Sequence, residues 1–418
     1  MTSEQPGEAY VWVWLPGATE PVVAGRLEQS ARTLDFNYGR SYLARSDRIA
    51  LFEPELPLVS GRIRPTGNLA VAGVIRDAGP DAWGQRIILR RLTGAGGRDT
   101  DVDQLSLLTY LLEAPSDRIG ALDFQSSSGT YEHRPSVGTL EEMVGATVEF
   151  LAGGQLSPDV SQALLAGSSV GGARPKVLLD DGGRKLIAKL SQDSDPYPVV
   201  KAEGVAMELA SRVGLTVAPV EVRNCLGRDV LLVERFDRTA IPGQRRLLVS
   251  AMTVLGVNEW GAIHSGYWEL ADAIRARFSD VDVTLRELFS RITFNICVGN
   301  TDDHARNHSA FWDGGSLTLT PAYDICPQLR SGQEAEQALA IRPDGWRYSQ
   351  LAGCLDAAKV YHLTPAEAWD IIDNQVSTIL SSWPEAAERA RLTAAERDAM
   401  WHTQILNPYA LYDWPRRP

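Results

Sequence analysis

Gly299-Asn300-Thr301-Asp302-Asp303-His304-Ala305-Arg306-Asn307-His308-Ser309-Ala310-Phe311-Trp312 is the stretch on which the reading of this chain turns. Within it Asp302 and Asn307 stand in the spacing Asp-x-x-x-x-Asn, and after a Gly-Gly turn and a short Thr-Leu-Thr strand comes the pair Tyr323-Asp324. That spacing is the core of a kinase catalytic loop, where the carboxylate accepts the proton of the attacking hydroxyl and the carboxamide holds a metal. Asp324 then falls where a second carboxylate grips Mg2+ bridging the phosphates. Magnesium sheds its water reluctantly and rarely takes an all-protein cage, so two Asp and one Asn are enough. The same residue types also build ordinary turns and helix caps, so the spacing needs partners upstream.

Those partners lie before it. Gly167 to Lys176 (GSSVGGARPK) leads into Val177–Leu179, the turn Asp180-Asp181-Gly182-Gly183, and Lys185–Leu190 (KLIAKL). Two strands with a Gly-rich entry, including Gly171 and Gly172, and a Lys on the second strand match a cover over phosphates and an ammonium, Lys189, for the α- and β-phosphates of ATP. A plain hairpin with a solvated Lys is the bland alternative. It is not a Walker loop: Gly167 and Gly172 have the spacing, but Ala173 and Arg174 stand where Lys and Ser/Thr are required. The helical pattern Val199–Val213 puts Glu203 at the border of its apolar face, able to pair with Lys189, while Glu208, Lys201 and Arg212 fall on the wet side. Val230–Arg238 (VLLVERFDR) reads as a strand running into charge. A kinase hinge meets adenine at such a place, making the backbone of Glu234 and Phe236 and the side chain of Asp237 candidate nucleotide contacts.

Around this centre the chain is ordinary in composition. Its 418 residues, 44% of them hydrophobic, suffice for two or three domains with cores. The four cysteines (Cys225, Cys297, Cys326, Cys354) are far apart with no CxxC pair, which suggests neither zinc nor disulfides and fits a reducing cytoplasm. The start (MTSEQPGEAY) lacks a basic, apolar leader, and no segment reaches eighteen uninterrupted apolar residues, so neither secretion nor a membrane span is expected. A net charge of −12 opposes unspecific DNA binding by this chain alone.

Tyr10–Leu15 alternates Tyr/Trp with Val/Leu, a strand apolar on both faces. Short strand-like pieces follow at Val22–Gly25, Leu34–Tyr38 and Ala50–Phe52, then a helix over Trp83–Leu92 with a basic outer side and a closing strand over Asp117–Phe124. The Ser/Gly/Thr-rich run 125–135 sets a boundary, followed by helical patterns at Leu140–Leu151 and Ser157–Leu165. From Gly243 on, helices dominate: Trp268–Phe278, Leu285–Val298, Pro365–Leu380 and Ala394–Trp401. Three segments are therefore expected: 1–135, β-rich; 136–238, an α/β upper lobe; 239–418, a helical lower lobe.

Taken together, SSVGGARPK, KLIAKL, VERFDR, GNTDDHARNH and PAYD, in this order, resemble the HipA family of bacterial serine/threonine kinases, toxins of HipA/HipB toxin–antitoxin modules. DRIGALDF is similar to that family's N-terminal domain. The resemblance implies an α+β, two-lobed kinase-like fold with an N-terminal β-rich subdomain. Carried over residue by residue, it implies Asp302 as catalytic residue, Asn307 and Asp324 as metal holders, Lys189 as the ATP lysine, and Glu234, Phe236 and Asp237 at the hinge. It places His304 beside the phosphates, against a reading as a structural hydrogen bonder. It also implies autophosphorylation of the Gly-rich loop at Ser169, with Ser168 the rival acceptor, and an off-switch in which the new dianion pulls the loop out of the ATP pocket. Arg174-Pro175 departs from the residues some members have there.

Implied with it are ATP and Mg2+, an aminoacyl-tRNA synthetase as substrate class, and a HipB-like helix-turn-helix antitoxin as partner, DNA being reached only through that partner. Two other readings stand beside this one. The first is a catalytically silent corepressor on the same fold, which the intact Lys, Glu, Asp and Asn positions disfavour. The second is a metal hydrolase using Asp302, Asp303, His304 and His308, which lacks the Glu beside the first His that a zinc helix carries.

Overall fold

The computed structural model describes residues 6–94, 101–134, 138–153, 164 and 174–414. Chain contacts gather it into two compact units: residues 1–190, 224–249 and 311–315 in the first, and 191–223, 250–310 and 316–418 in the second. The segments expected from the sequence are thus interleaved rather than consecutive.

The first unit opens with an antiparallel sheet in the order β4-β3-β2-β1-β5, made of β1 (Glu8–Val13), β2 (Val22–Ser30), β3 (Thr33–Tyr38), β4 (Arg62–Ile63) and β5 (Leu122–Gln125). In β1, Val11, Trp12 and Val13 are all buried, as expected of a strand apolar on both sides. Gly25 on β2 is required by packing: a Cβ there would lie 2.2 Å from the Asn37 carbonyl oxygen on β3. Two expected strands shrink. Ala50–Phe52 is reduced to a bridge between Phe52 and Leu56, and the Asp117–Phe124 strand begins only at Leu122 because Asp117–Gly120 is held by side-chain bonds instead of a ladder.

A second antiparallel ladder joins β6 (Lys176–Asp181) to β7 (Arg184–Leu190), and β7 to the strand Arg228–Glu234. Period-two alternation drives Leu186, Ala188 and Leu190 into a core with Val177, Val230 and Leu232, which leaves Ile187 and Lys189 on the opposite face. The helix Leu140–Leu151 covers that core with Met143 and Val144, while its Ala146 and Phe150 meet Trp83, Ile87 and Ile88 of the helix Ala82–Thr93. Trp83 Nε1 donates to the Lys176 carbonyl at 3.0 Å, and the buried Lys176 ammonium pairs with Asp81. These bonds tie the N-terminal segment to the ladder within one unit. The helix expected at Ser157–Leu165 lies, except for Leu164, outside the described residues.

The second unit is helical. Three Thr-x-x-Glu capping boxes start its helix Pro365–Arg389 (Thr364, Glu367), its helix Ala394–Met400 (Thr393, Glu396) and, in the first unit, Leu140–Leu151 (Thr139, Glu142). The helix Pro365–Arg389 runs past its expected end at Leu380 and through Pro384, because Trp383, Ala386 and Ala387 beyond that point are buried. The helix Val199–Arg212 is buried on nearly all sides rather than amphipathic. Lys201, expected on the wet side, is buried and bonded to Glu396 at 3.1 Å. Arg212 reaches Glu385 at 2.8 Å, and no helix among the described residues is long and apolar enough to cross a membrane.

Candidate active site

The helix Val281–Val298 delivers the decisive loop. It ends at Gly299, whose φ of +69° is the left-handed value that glycine adopts freely, and a Cβ there would sit 2.6 Å from the Gln404 carbonyl oxygen. From there the chain leaves regular structure for nine residues, 300–308, before the strand Ser309–Trp312. An anchor inside the loop fixes its shape. Asp303 is buried, and its Oδ2 accepts hydrogen bonds from Asn295 Nδ2 at 2.8 Å, from the Tyr267 hydroxyl, and pairs with His308 Nε2 at 2.8 Å. Asn300 Nδ2 donates to Asn295 Oδ1 at 3.0 Å and extends the network back into the helix. Burial pushes the Asp303 carboxyl up, but the adjoining His308 and Tyr267 outweigh it and hold the group below the usual carboxylate range.

With Asp303 facing inward, its neighbour Asp302 is turned outward and is exposed. Desolvation raises the Asp302 carboxyl pKa, and the negative charges of Asp324 and Asp303 add to the shift while His304 opposes it. Asp302, Asp324 and His304 thus lie within electrostatic reach of each other. Asn307 is buried; its amide nitrogen donates to the Asp302 carbonyl at 3.3 Å, which leaves its side-chain oxygen as the group available to a cation. Asp324 adopts φ +60°, a left-handed conformation that Asp tolerates better than most residues. Tyr323 fixes the approach to it, the hydroxyl donating to the Arg306 carbonyl at 2.7 Å and lying 2.6 Å from the Ser309 hydroxyl.

An oxygen set of two carboxylates and one carboxamide suits a hard divalent cation such as Mg2+, which would neutralise the charges of Asp302 and Asp324. The four-residue hydrolase centre is not assembled in this way, since Asp303 and His308 are committed to one another. His304 Nδ1 is buried without a hydrogen-bond partner among the described residues, so the structural hydrogen bond once weighed for it is not made through that atom.

The remaining candidates lie on other elements. In the first unit Lys189 is half-buried on β7 in register with Leu231, and Glu234 is in register with Leu186. Phe236 packs edge-on against Phe311 at 5.9 Å. The Asp237 side chain, expected to meet a nucleotide, is instead buried in an ion cluster: Arg235 Nη2 and Arg238 Nη1 reach its Oδ2 at 2.8 and 2.7 Å, and the Gly120 N–H donates to the same atom at 2.7 Å. Asp117 joins the two guanidiniums at 3.0 and 2.7 Å, so the DRIGALDF and VERFDR stretches are parts of one network that their separation in sequence concealed. Glu203, in the second unit, is buried on the helix Val199–Arg212. Gly171, Gly172, Ser168 and Ser169 lie outside the described residues.

Residues 168–383, just over half of the chain, match the family described as the HipA-like C-terminal domain. Among curated proteins the chain is similar to Y4mE of Sinorhizobium fredii, which bears a provisional kinase name, at 32% identity over 190 residues, 40% of this chain and 44% of that one. It is also similar to the serine/threonine-protein kinase toxin HipA of Shewanella oneidensis, at 26% identity over 202 residues, 42% of this chain and 46% of that one. Each match thus spans a little under half the length of the relative. Among solved structures it resembles a chain of the Shewanella oneidensis MR-1 complex of HipA, HipB and operator DNA, with a TM-score of 0.67 at 20% identity over 92% of this chain and 93% of that one. The chain belongs to the HipA-like C-terminal domain family and has its α+β, kinase-like fold.

Proposed function

We propose that the protein is a Mg-ATP-dependent protein serine/threonine kinase, and the observation that carries this reading is the outward-facing Asp302, lifted in pKa beside Asp324 and set by the buried Asp303 anchor. Asp302 orients the substrate hydroxyl and accepts its proton at the carboxylate. Asn307 and Asp324 hold Mg2+, Lys189 binds phosphate oxygens, Glu203 serves nucleotide binding, and His304 stands beside the phosphates. Bound Mg2+ supplies neutralisation of charge on the phosphate oxygens. Such a reaction asks the protein for positioning and charge rather than covalent chemistry, which suits a loop whose side chains are fixed by buried hydrogen bonds. The backbone at Glu234 and Phe236 serves the adenine, and Asp237 keeps that strand end in place.

The substrate class is a translation factor such as an aminoacyl-tRNA synthetase, the self-acceptor is Ser169, and the partner is a HipB-like helix-turn-helix antitoxin in the cytoplasm. Similarity to a serine/threonine-protein kinase toxin and to a chain solved together with HipB and operator DNA supports the kinase and partner parts of this reading. Incubating the full chain with labelled ATP, Mg2+ and host extract, then mapping the label, tests it: a labelled host protein together with label on Ser169 is expected. Label on neither the chain nor any host protein contradicts it.

A further inference from the structure

The first unit contains a half-open cavity of about 910 Å3 that no part of the proposed phosphotransfer uses. Its walls come from the segment after β1, from Tyr131 and His133, from residues 138–143, from β6 and β7, and from residues 238–245. Several charges on these walls are already matched. Lys185 pairs with Asp180 at 2.8 Å, Arg238 with Asp117 at 2.7 Å, and Glu142 caps its own helix through the Thr139 N–H at 2.8 Å. Glu20 is exposed to solvent at the rim.

Arg245 is different. It is nine-tenths buried, its guanidinium carbon lies over the Trp14 ring at 3.6 Å from the centroid, and its hydrogen bond to protein runs from Nη1 to the Ser116 carbonyl at 2.7 Å. No carboxylate forms an ion pair with it among the described residues. A guanidinium carries five N–H donors in a planar fork, and Arg245, which lines the cavity, has one of them in a hydrogen bond to the Ser116 carbonyl. Burial and the neighbouring Arg238 push its pKa down to about 10, against the opposing charges of Tyr131 and Asp117. Stacking on an indole face compensates part of that cost.

We propose that this cavity binds a small oxyanion-bearing ligand, a carboxylate or phosphate, with its anionic head on the Arg245 fork and an apolar body against Trp14, Met143 and Leu178. The volume lies in the range of small-molecule sites, and a bidentate oxyanion is the partner that a flat guanidinium fork is shaped to take. The inference does not depend on the kinase reading, because every residue in it belongs to the first unit and none is assigned to catalysis.

Calorimetric titration of the full chain with inorganic phosphate and, separately, with benzoate tests it. Saturable binding of at least one probe is expected, and the arm that binds identifies the head group. Arg245→Gln, verified as folded by circular dichroism, is expected to weaken that binding by about tenfold or more, since it removes the charge-assisted fork. If Arg245→Gln fails to fold, Thr19→Trp, which fills the exposed rim of the cavity and leaves Arg245 in place, is expected to abolish binding. Absence of saturable binding of both probes to the parent chain, or binding unchanged in these variants, overturns the proposal.

Discussion

Asp302 and Asp303 are adjacent and identical in chemistry, yet the fold gives them opposite tasks. Asp303 is the loop's internal acceptor, so Asp303→Ala leaves Tyr267, Asn295 and His308 with buried groups unpaired and is expected to destabilise the protein by about 3 kcal/mol in urea unfolding. Its pH signature follows from the lowered pKa. The Asp303 contribution is fully present above the unfolded value near 3.9 and is lost as the pH falls through the lower folded value, so the acid limb of Tm below about pH 4 is expected to flatten in Asp303→Ala. The Asp302 pKa is raised, so the sign reverses: its ionised form is disfavoured by the folded state above the folded pKa, and the penalty vanishes below the unfolded one. In Mg2+-free buffer at neutral pH, Asp302→Asn is therefore expected to raise Tm in differential scanning fluorimetry, and a fall in Tm would contradict the raised pKa and its causes in desolvation and neighbouring charge. The spacing Asp-x-x-x-x-Asn singled out the outward Asp and the Asn as candidates, but not the anchor. Tyr267 and Asn295 come from other helices, and only the fold brings them to Asp303.

At the scale of elements, period-two alternation was legible. Lys189 falls on the face of β7 opposite the core for the same reason that Leu186, Ala188 and Leu190 fall inside. Less legible was anything settled by tertiary burial. Pro384 and the two serines before it look like a helix end, and packing of Trp383, Ala386 and Ala387 overrides them. Lys201 looks solvated, and Glu396 from a distant helix buries it. The strand Arg228–Glu234 ends where Arg235 turns to Asp117 and Asp237, a network invisible to periodicity. Asp237→Ala leaves two buried guanidiniums short of their counter-charge, so a loss of about 3–5 kcal/mol in urea unfolding is expected. Were Asp237 a nucleotide contact alone, that substitution would weaken ATP binding and leave the unfolding midpoint in place.

For the whole molecule, the net charge of −12 argues that any operator contact runs through a basic partner. In a gel-shift assay at physiological salt the chain alone is expected to leave duplex DNA unshifted, and to add a further shift only once a DNA-binding partner is present. The segments foreseen as 1–135, 136–238 and 239–418 do not map onto the two compact units, because chain order hides the return of 224–249 and 311–315 to the first unit. Asp302 is the residue on which the proposed phosphoryl transfer depends most. The direct measurement compares the parent chain with folded Asp302→Asn for transfer of labelled phosphate from ATP with Mg2+. A loss of roughly 100-fold or more in the variant is expected for removal of the proton acceptor. Transfer by Asp302→Asn at the parent's rate would contradict the account.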